Sequence, residues 1–176
     1  AYAKAILFKP DFYLAYNNRG NAYEELGKPA LAKRDYEKAL MIHPSFAKAY
    51  YNLGLLHFNN QDFRHAIQSF SAAIHNFSEY KHAYFNRAQA YTYLAKYESA
   101  IQDLSHAIRI DPHYEKALLS RAALYMKQAF YQRALSDVEQ ILNQNIFNMP
   151  ARILRVKIFL TRANGHKAEA DIRFLN

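Results

Sequence analysis

Residues 50–57 read YYNLGLLH, and 34 residues later residues 84–91 read YFNRAQAY. Each stretch opens on a ring, has Asn in third place, a small residue in fifth (Gly54, Ala88) and a ring in eighth (His57, Tyr91). Residues 16–23, YNNRGNAY, repeat the pattern one interval earlier. The same interval of 34 places Pro10, Pro44 and Pro112 on one grid, with Ser78 at the skipped node. It aligns Ala5, Ala39, Ala73 and Ala107, and also Ala32, Ala66, Ala100, Ala134 and Ala168. A fixed period of this length signals stacked supersecondary units rather than one globular core.

Spacing within the period gives the elements. Tyr16, Tyr50, Tyr84 and Leu118 form one column; Gly20, Gly54, Ala88, Ala122 and Val156 form a second, four residues on. Tyr23, His57, Tyr91, Tyr125 and Phe159 follow three residues later. Steps of four and three lie on one helical face. The second half of each row repeats the device: the Ala32 column, then Tyr36, Phe70, Leu104, Val138 and Ile172, then Ala39, Ala73, Ala107, Ile141 and Leu175. Each row therefore reads as two antiparallel helices. Gly27 falls in the turn of the first row, and Pro29 suits the opening turn of a helix. Pro44 and Pro112 end second helices, because the residue before proline avoids helical geometry.

Composition agrees with this reading. Of 176 residues half are apolar, with four Gly and five Pro, 15 Tyr and 12 Phe, and neither Trp nor Cys. No run approaches the about 18 apolar residues of a membrane span, so membrane insertion is not expected. Without Cys there is no disulfide framework and no thiolate metal site. Asn76-Phe77-Ser78 matches a glycosylation sequon, which we read as a chance match. Ala1 to Lys9 reads as the last helix of a preceding unit, so the natural N-terminus is expected to be absent, and the protein is expected to be intracellular and cytoplasmic. The net charge is +8. Within residues 149–176 stand Arg152, Arg155, Lys157, Arg162, Lys167 and Arg173 against Glu169 and Asp171. That basic end is either a solvated face or a surface that attracts an acidic protein, a tubulin-like surface or nucleic acid.

The columns resemble the tetratricopeptide repeat, with its large residue, Leu-Gly, Tyr, Ala, aromatic and Pro signature. Residues 16–44, 50–57 and 84–91 carry the resemblance. It implies an all-α fold, a right-handed superhelix of tandem helix-turn-helix repeats. On that frame 1–12 belong to a preceding repeat, 13–46, 47–80 and 81–114 are repeats, 115–148 is a degenerate repeat, and 149–176 is a partial or capping repeat. Row four has Ile146 in place of Pro, and row five has Arg152 where its aromatic start belongs.

One column departs from the family pattern. Arg19, Leu53, Arg87, Arg121 and Arg155 precede the small column, and sixteen residues later stand Asp35, Ser69, Asp103, Asp137 and Asp171. The row without Arg is the row without Asp. Ion pairs Arg19–Asp35, Arg87–Asp103, Arg121–Asp137 and Arg155–Asp171 are expected, each tying the two helices of one unit.

The resemblance also implies that the first helix of each pair lines a concave groove. Carried over position by position, that groove holds Asn17, Asn18 and Asn21; Lys48, Tyr51, Asn52 and Leu55; His82, Phe85, Asn86 and Gln89; and Lys116 and Leu119. Asn18, Asn52 and Asn86 resemble the asparagine ladder of some superhelical members of the family. A primary amide both donates and accepts, which suits the backbone of an extended peptide. The carboxylate clamp of chaperone-binding members needs cations at the positions of Asn17, His82 and Asn86, which these residues do not supply, so a chaperone adaptor is disfavoured.

No catalytic constellation is legible: no Gly-rich phosphate loop, no thiol, and no His or carboxylate–His cluster at ligand spacing. His57 sits in a core column. Neither cofactor nor metal nor small-molecule substrate is expected, and nucleic acid is disfavoured because most rings fall in core columns. The sequence thus points to a non-catalytic scaffold whose groove binds an extended segment of another protein. The alternative is an architectural part of a large assembly, of the cilium or cytoskeleton, docking through its convex face and basic end.

Overall fold

The computed structural model of the chain describes residues 2–161, 168 and 171–174; Arg162, Lys167, Glu169 and Leu175 lie outside them. The described residues are helices and short turns: α1 (Tyr2–Phe8), α2 (Tyr13–Glu25), α3 (Pro29–Ile42), α4 (Ala47–Asn59), α5 (Phe63–Asn76), α6 (Lys81–Tyr93), α7 (Tyr97–Ile110), α8 (Glu115–Lys127), α9 (Tyr131–Gln144) and α10 (Met149–Thr161). Residues 171–174 are also helical. This is the α-solenoid class, an all-α fold of tandem helical hairpins. The helices fall into two compact units, residues 1–96 and 97–176. No described helix is long and apolar enough to cross a membrane.

The period is written into the turns. Gly27, Gln61, Ala95 and Ala129 occupy the same place in successive hairpins, and all have positive φ, between 56° and 67°. Each left-handed residue lets the next backbone N–H reach back to the helix. Lys28 donates to the Tyr23 carbonyl at 2.8 Å, Asp62 to His57 and Lys96 to Tyr91 at 2.9 Å, and Phe130 to Tyr125 at 2.8 Å. This closure satisfies carbonyls that a helix end leaves open and reverses the chain. Only the first turn uses Gly, the residue that takes this geometry without steric cost.

First helices begin differently. The residues before α2, α4, α6 and α8 are Phe12, Phe46, Tyr80 and Tyr114, none of which caps its helix with a side-chain bond. Rings replace caps as anchors. Phe46 packs edge-on against Tyr13 with centroids 4.9 Å apart, and Tyr80 lies 4.8 Å from Tyr51. Burial lifts the Tyr80 hydroxyl to a pKa of about 12. Before α10 the column switches to Asn148, whose Oδ1 accepts from the Ala151 amide at 3.0 Å, an ordinary N-cap.

Packing within each hairpin is a fit of small against large. A Cβ placed on Gly20 would lie 2.5 Å from Cε1 of Tyr36, and one on Gly54 would lie 2.5 Å from Phe70 ring carbons. Both rings are fully buried, each contributing about 1.5–3 kcal/mol of hydrophobic stabilisation. In the second unit the same two columns hold Ala122 and Val138, also fully buried. The Tyr36 hydroxyl, pushed up by burial so that it keeps its proton, bonds to Asn21 Oδ1 at 2.8 Å and Glu24 Oε2 at 2.5 Å.

The arginine column forms a second layer of ties. Arg19 clasps Asp35 through two bonds, 2.6 and 2.7 Å. Arg121 clasps Asp137 at 2.9 and 2.7 Å, and Arg155 clasps Asp171 at 2.6 and 2.7 Å. Arg87 and Asp103 belong one to each unit, and their pairing stands as a proposal. A further partner is absent from the sequence expectations. Arg87 Nη1 donates to Ser71 Oγ and Arg121 Nη1 to Ser105 Oγ, each at 2.8 Å and each sixteen residues back. Both serines pass their own proton to the carbonyl four residues earlier, Ile67 and Ile101, at 2.7 Å. These arginines therefore also reach the second helix of the preceding hairpin. Leu53, at the position without Arg, is buried among Ala32, Tyr36 and Leu56.

Candidate binding face and its amide network

In the first unit, α2, α4 and α6 are linked in order by side-chain bonds spanning one period. Asn52 Nδ2 donates to Asn17 Oδ1 and to Asn21 Oδ1, both at 2.9 Å. Asn86 Nδ2 donates to the Tyr51 hydroxyl at 2.9 Å. Asn17 in turn sends a long bond, 3.4 Å, to Asn18 Oδ1. The register comes from the repeat, because each donor sits 35 or 31 residues after its acceptor. Burial raises the Tyr51 hydroxyl above its ordinary value, against the bond from Asn86, which lowers it.

This network corrects part of the groove expectation. Asn17 is 1% exposed, so it is an interior acceptor and not a surface contact. Asn52 is buried with both amide protons committed, leaving it only a carbonyl oxygen to offer. Asn21 already accepts from Asn52 and Tyr36. The ladder of Asn18, Asn52 and Asn86 is therefore uneven: its outer rungs keep both a donor and an acceptor, and its middle rung is a structural tie. Tyr51 is sandwiched between Phe70, at 5.8 Å, and Tyr80. Leu55 packs on the Ala66, Phe70 and Ala90 core. Lys48 and His82 are exposed, while Phe85, Asn86 and Gln89 are partly exposed. Lys116, exposed, and Leu119, partly exposed, lie on α8 of the second unit.

The basic end also changes character. Arg152 is buried, and its guanidinium donates to Asp171 Oδ1 and to the Ile146 carbonyl, each at 2.7 Å, beneath the ring of Phe174 at 3.7 Å. Asp171 thus holds two arginines. Burial alone would raise its pKa, but the bonds from Arg155 and Arg152 hold it below the usual carboxylate range. Arg152 and Arg155 are scaffold, which removes two of the cations expected on a docking surface. What made Arg152 misleading is that it stands one turn before Arg155 and shares its carboxylate, a pairing with no counterpart in the other rows.

A carboxylate–His cluster that spacing did not reveal lies at the α4–α5 turn. Asp62 Oδ2 is 2.6 Å from His65 Nδ1 and 3.8 Å from His57 Nδ1. The Asp62 side chain also accepts the His65 backbone N–H, which lowers its pKa. Among the described residues no group of three such side chains could hold a metal ion.

Comparison with known proteins settles the family. Models described as tetratricopeptide repeat match residues 13–46, 47–74 and 82–114. The chain belongs to the tetratricopeptide repeat family. Among solved structures it is similar to YrrB, described as a TPR protein with an unusual peptide-binding site, with a TM-score of 0.84, 20% identity, and coverage of 98% of this chain and 89% of that one. A tetratricopeptide repeat protein from Parabacteroides merdae gives 0.85 at 23% identity, covering 93% and 65%. PilF of Pseudomonas aeruginosa gives 0.84 at 18%, covering 97% and 78%. These likenesses show the fold. No curated protein matches the sequence. Tetratricopeptide proteins are generally non-catalytic scaffolds that bind other proteins.

Proposed function

We propose that this tetratricopeptide scaffold binds an extended peptide segment of a partner protein along the face that α2, α4 and α6 make in the first unit, without catalysis, in the cytoplasm. The supporting observation is the uneven amide ladder. Asn18 and Asn86 retain donor and acceptor capacity, and Asn52 holds the helices between them at a fixed spacing. Two amides offering paired bonds to a peptide backbone, flanked by the Lys48 ammonium and the ring of Phe85, suit a strand with mixed side chains. YrrB is described as peptide-binding, which gives the proposal a precedent in fold and not in residues.

The test separates the two kinds of rung. An Asn18→Ala, Asn86→Ala variant should keep its denaturation midpoint yet lose capture of the partner recovered by crosslinking from the native host. Asn52→Ala should lower the midpoint instead, because it strands acceptors on Asn17 and Asn21. Unchanged capture by the Asn18, Asn86 variant would overturn the proposal.

A further inference from the structure

The start of α5 and the end of α6 leave a surface whose exact counterpart, one period later, is closed. In the second unit, Tyr97 carries the Lys127 ammonium 4.4 Å above its ring and bonded to its hydroxyl at 2.6 Å. Glu98 accepts from Gln128 at 2.9 Å. Thirty-four residues earlier those four positions hold Phe63, Tyr93, Arg64 and Leu94. Phe63 and Tyr93 stack face to face, 4.5 Å apart at 3°, with Phe58 edge-on to both. Tyr93 is nonetheless 65% exposed. Arg64 stands where the carboxylate of Glu98 would be, opposite an apolar Leu94, and makes no ion pair among the described residues. Among the described residues Lys96 beside it makes none either. The neighbouring carboxylate, Asp62, is engaged by His65. Two concavities flank this junction. One of about 410 Å³ is walled by Phe58, Phe63 and Tyr93, and one of about 470 Å³ by Ile67 and Leu94 with Arg64 and Lys96 at its rim.

We infer that this hairpin edge docks an acidic segment of another protein, with an aromatic or aliphatic side chain set against Phe63 and Tyr93 and flanking carboxylates on Arg64 and Lys96. The charge logic comes from the chain itself. Where the edge has its own carboxylate and ammonium it is satisfied internally, and where they are replaced by a guanidinium and a ring, with no ion pair among the described residues, a carboxylate from outside would complete it. Arg64 offers the fork geometry that suits a carboxylate. Nucleic acid fits less well, because the two rings already stack on each other and two cations do not make a basic track. The site does not depend on the amide face.

A fluorescein-labelled peptide with the core Glu-Asp-Phe-Asp-Glu tests the inference, alongside a version with Ala for Phe, a version with Lys for the acids, and an oligothymidylate. The first peptide should bind by anisotropy, weaken with salt, and shift the amide resonances of Phe63, Arg64 and Tyr93. Arg64→Glu with Lys96→Glu, both at exposed positions, should weaken it at least about tenfold, the worth of one charge-assisted contact. Tyr93→Ala, which removes the exposed ring of the stack, should weaken it as much, while Asn18→Ala with Asn86→Ala leaves it unchanged. Absence of binding, equal binding to the charge-reversed variant, shifts centred on Asn18 and Lys48, or tighter binding of the oligothymidylate would each overturn it.

Discussion

The two units meet the same period with different chemistry. The first joins its first helices through amides, Asn52 to Asn17 and Asn21 and Asn86 to Tyr51, and packs glycine against buried rings. The second has Leu119, Ser120 and Ala123 at the positions of Asn17, Asn18 and Asn21, and packs Ala122 with Val138. It keeps the Arg–Asp clasp that the first unit has in Arg19–Asp35, as Arg121–Asp137, and adds a carboxylate, Asp171, shared by Arg152 and Arg155. A repeat length thus fixes where two helices touch and leaves open which groups make the contact. Polar capacity left over on one surface, as on Asn18 and Asn86, is what supports the proposed binding face.

The sharpest contrast is between the carboxylates Asp171 and Asp35. Asp171 is 1% exposed and serves two guanidiniums, one of them only 8% exposed. Removing a partner from a buried ion pair costs about 3–5 kcal/mol. Asp171→Ala should reach that range in urea unfolding. Asp35→Ala should cost clearly less, because Arg19 is 25% exposed and can turn to water. Equal losses would mean that burial of the arginine does not set the weight of these pairs.

The packing contrast can be broken next. Gly54→Ala drives a methyl into the Phe70 ring, an overpacking that costs about 1–3 kcal/mol, offset by about 1 kcal/mol of helix propensity. Phe70→Leu alone leaves a cavity. Combined, they reproduce the Ala-with-aliphatic pairing of the second unit. The double variant should therefore be more stable than the two single losses predict, with a coupling of about 0.5–3 kcal/mol in a double-mutant cycle. Strict additivity would show that the glycine and the ring are not fitted to each other.

Turns offer a gain of stability. Ala95 and Ala129 adopt φ of 56° and 61°, where a Cβ costs about 1–2 kcal/mol. Ala129→Gly should stabilise the second unit by up to about 1 kcal/mol after the extra entropy of a free glycine is subtracted. The same change at Gly27 has already been made by the sequence, so Gly27→Ala should lose a similar amount. Thermal melts of the two variants should move in opposite directions.

What was legible in the sequence follows from which contacts obey the period. Helix positions, the Gly–ring fit and the Arg–Asp pairs repeat in register, so columns exposed them. The serine acceptors Ser71 and Ser105 obey the same offset in the other direction, sixteen residues before Arg87 and Arg121. Asn17 reads as a groove residue and is instead a buried acceptor, because an amide is equally suited to a peptide and to a neighbouring amide. The choice depends on how closely α2 and α4 approach, which no column records. Arg152 and the Asp62–His65 contact occur once each, and a single occurrence leaves no periodic trace.

The His57 cluster gives the smallest effect and one whose sign is fixed. His57 occupies the ring column that holds Tyr91 and Tyr125 elsewhere. Burial, and then the nearby Lys33, lower its pKa below 6.5, partly opposed by Asp62 and Glu37, while the His65 ring lies 5.4 Å away and adds to the lowering. A histidine with a depressed folded value binds a proton less readily folded than unfolded, so its contribution is intact above about pH 6.5 and declines as pH falls through that value toward the folded one. Asp62, held down chiefly by the His65 backbone N–H, stays charged through that interval and does not oppose the trend. Hydrogen exchange of α4 and α5 should therefore quicken between pH 7 and mildly acidic pH beyond its intrinsic dependence. His57→Tyr, which restores the ring used by the other hairpins, should flatten that excess slope. If the slope survives the substitution, the weakening at low pH comes from another group and the lone histidine of the column is a passive ring.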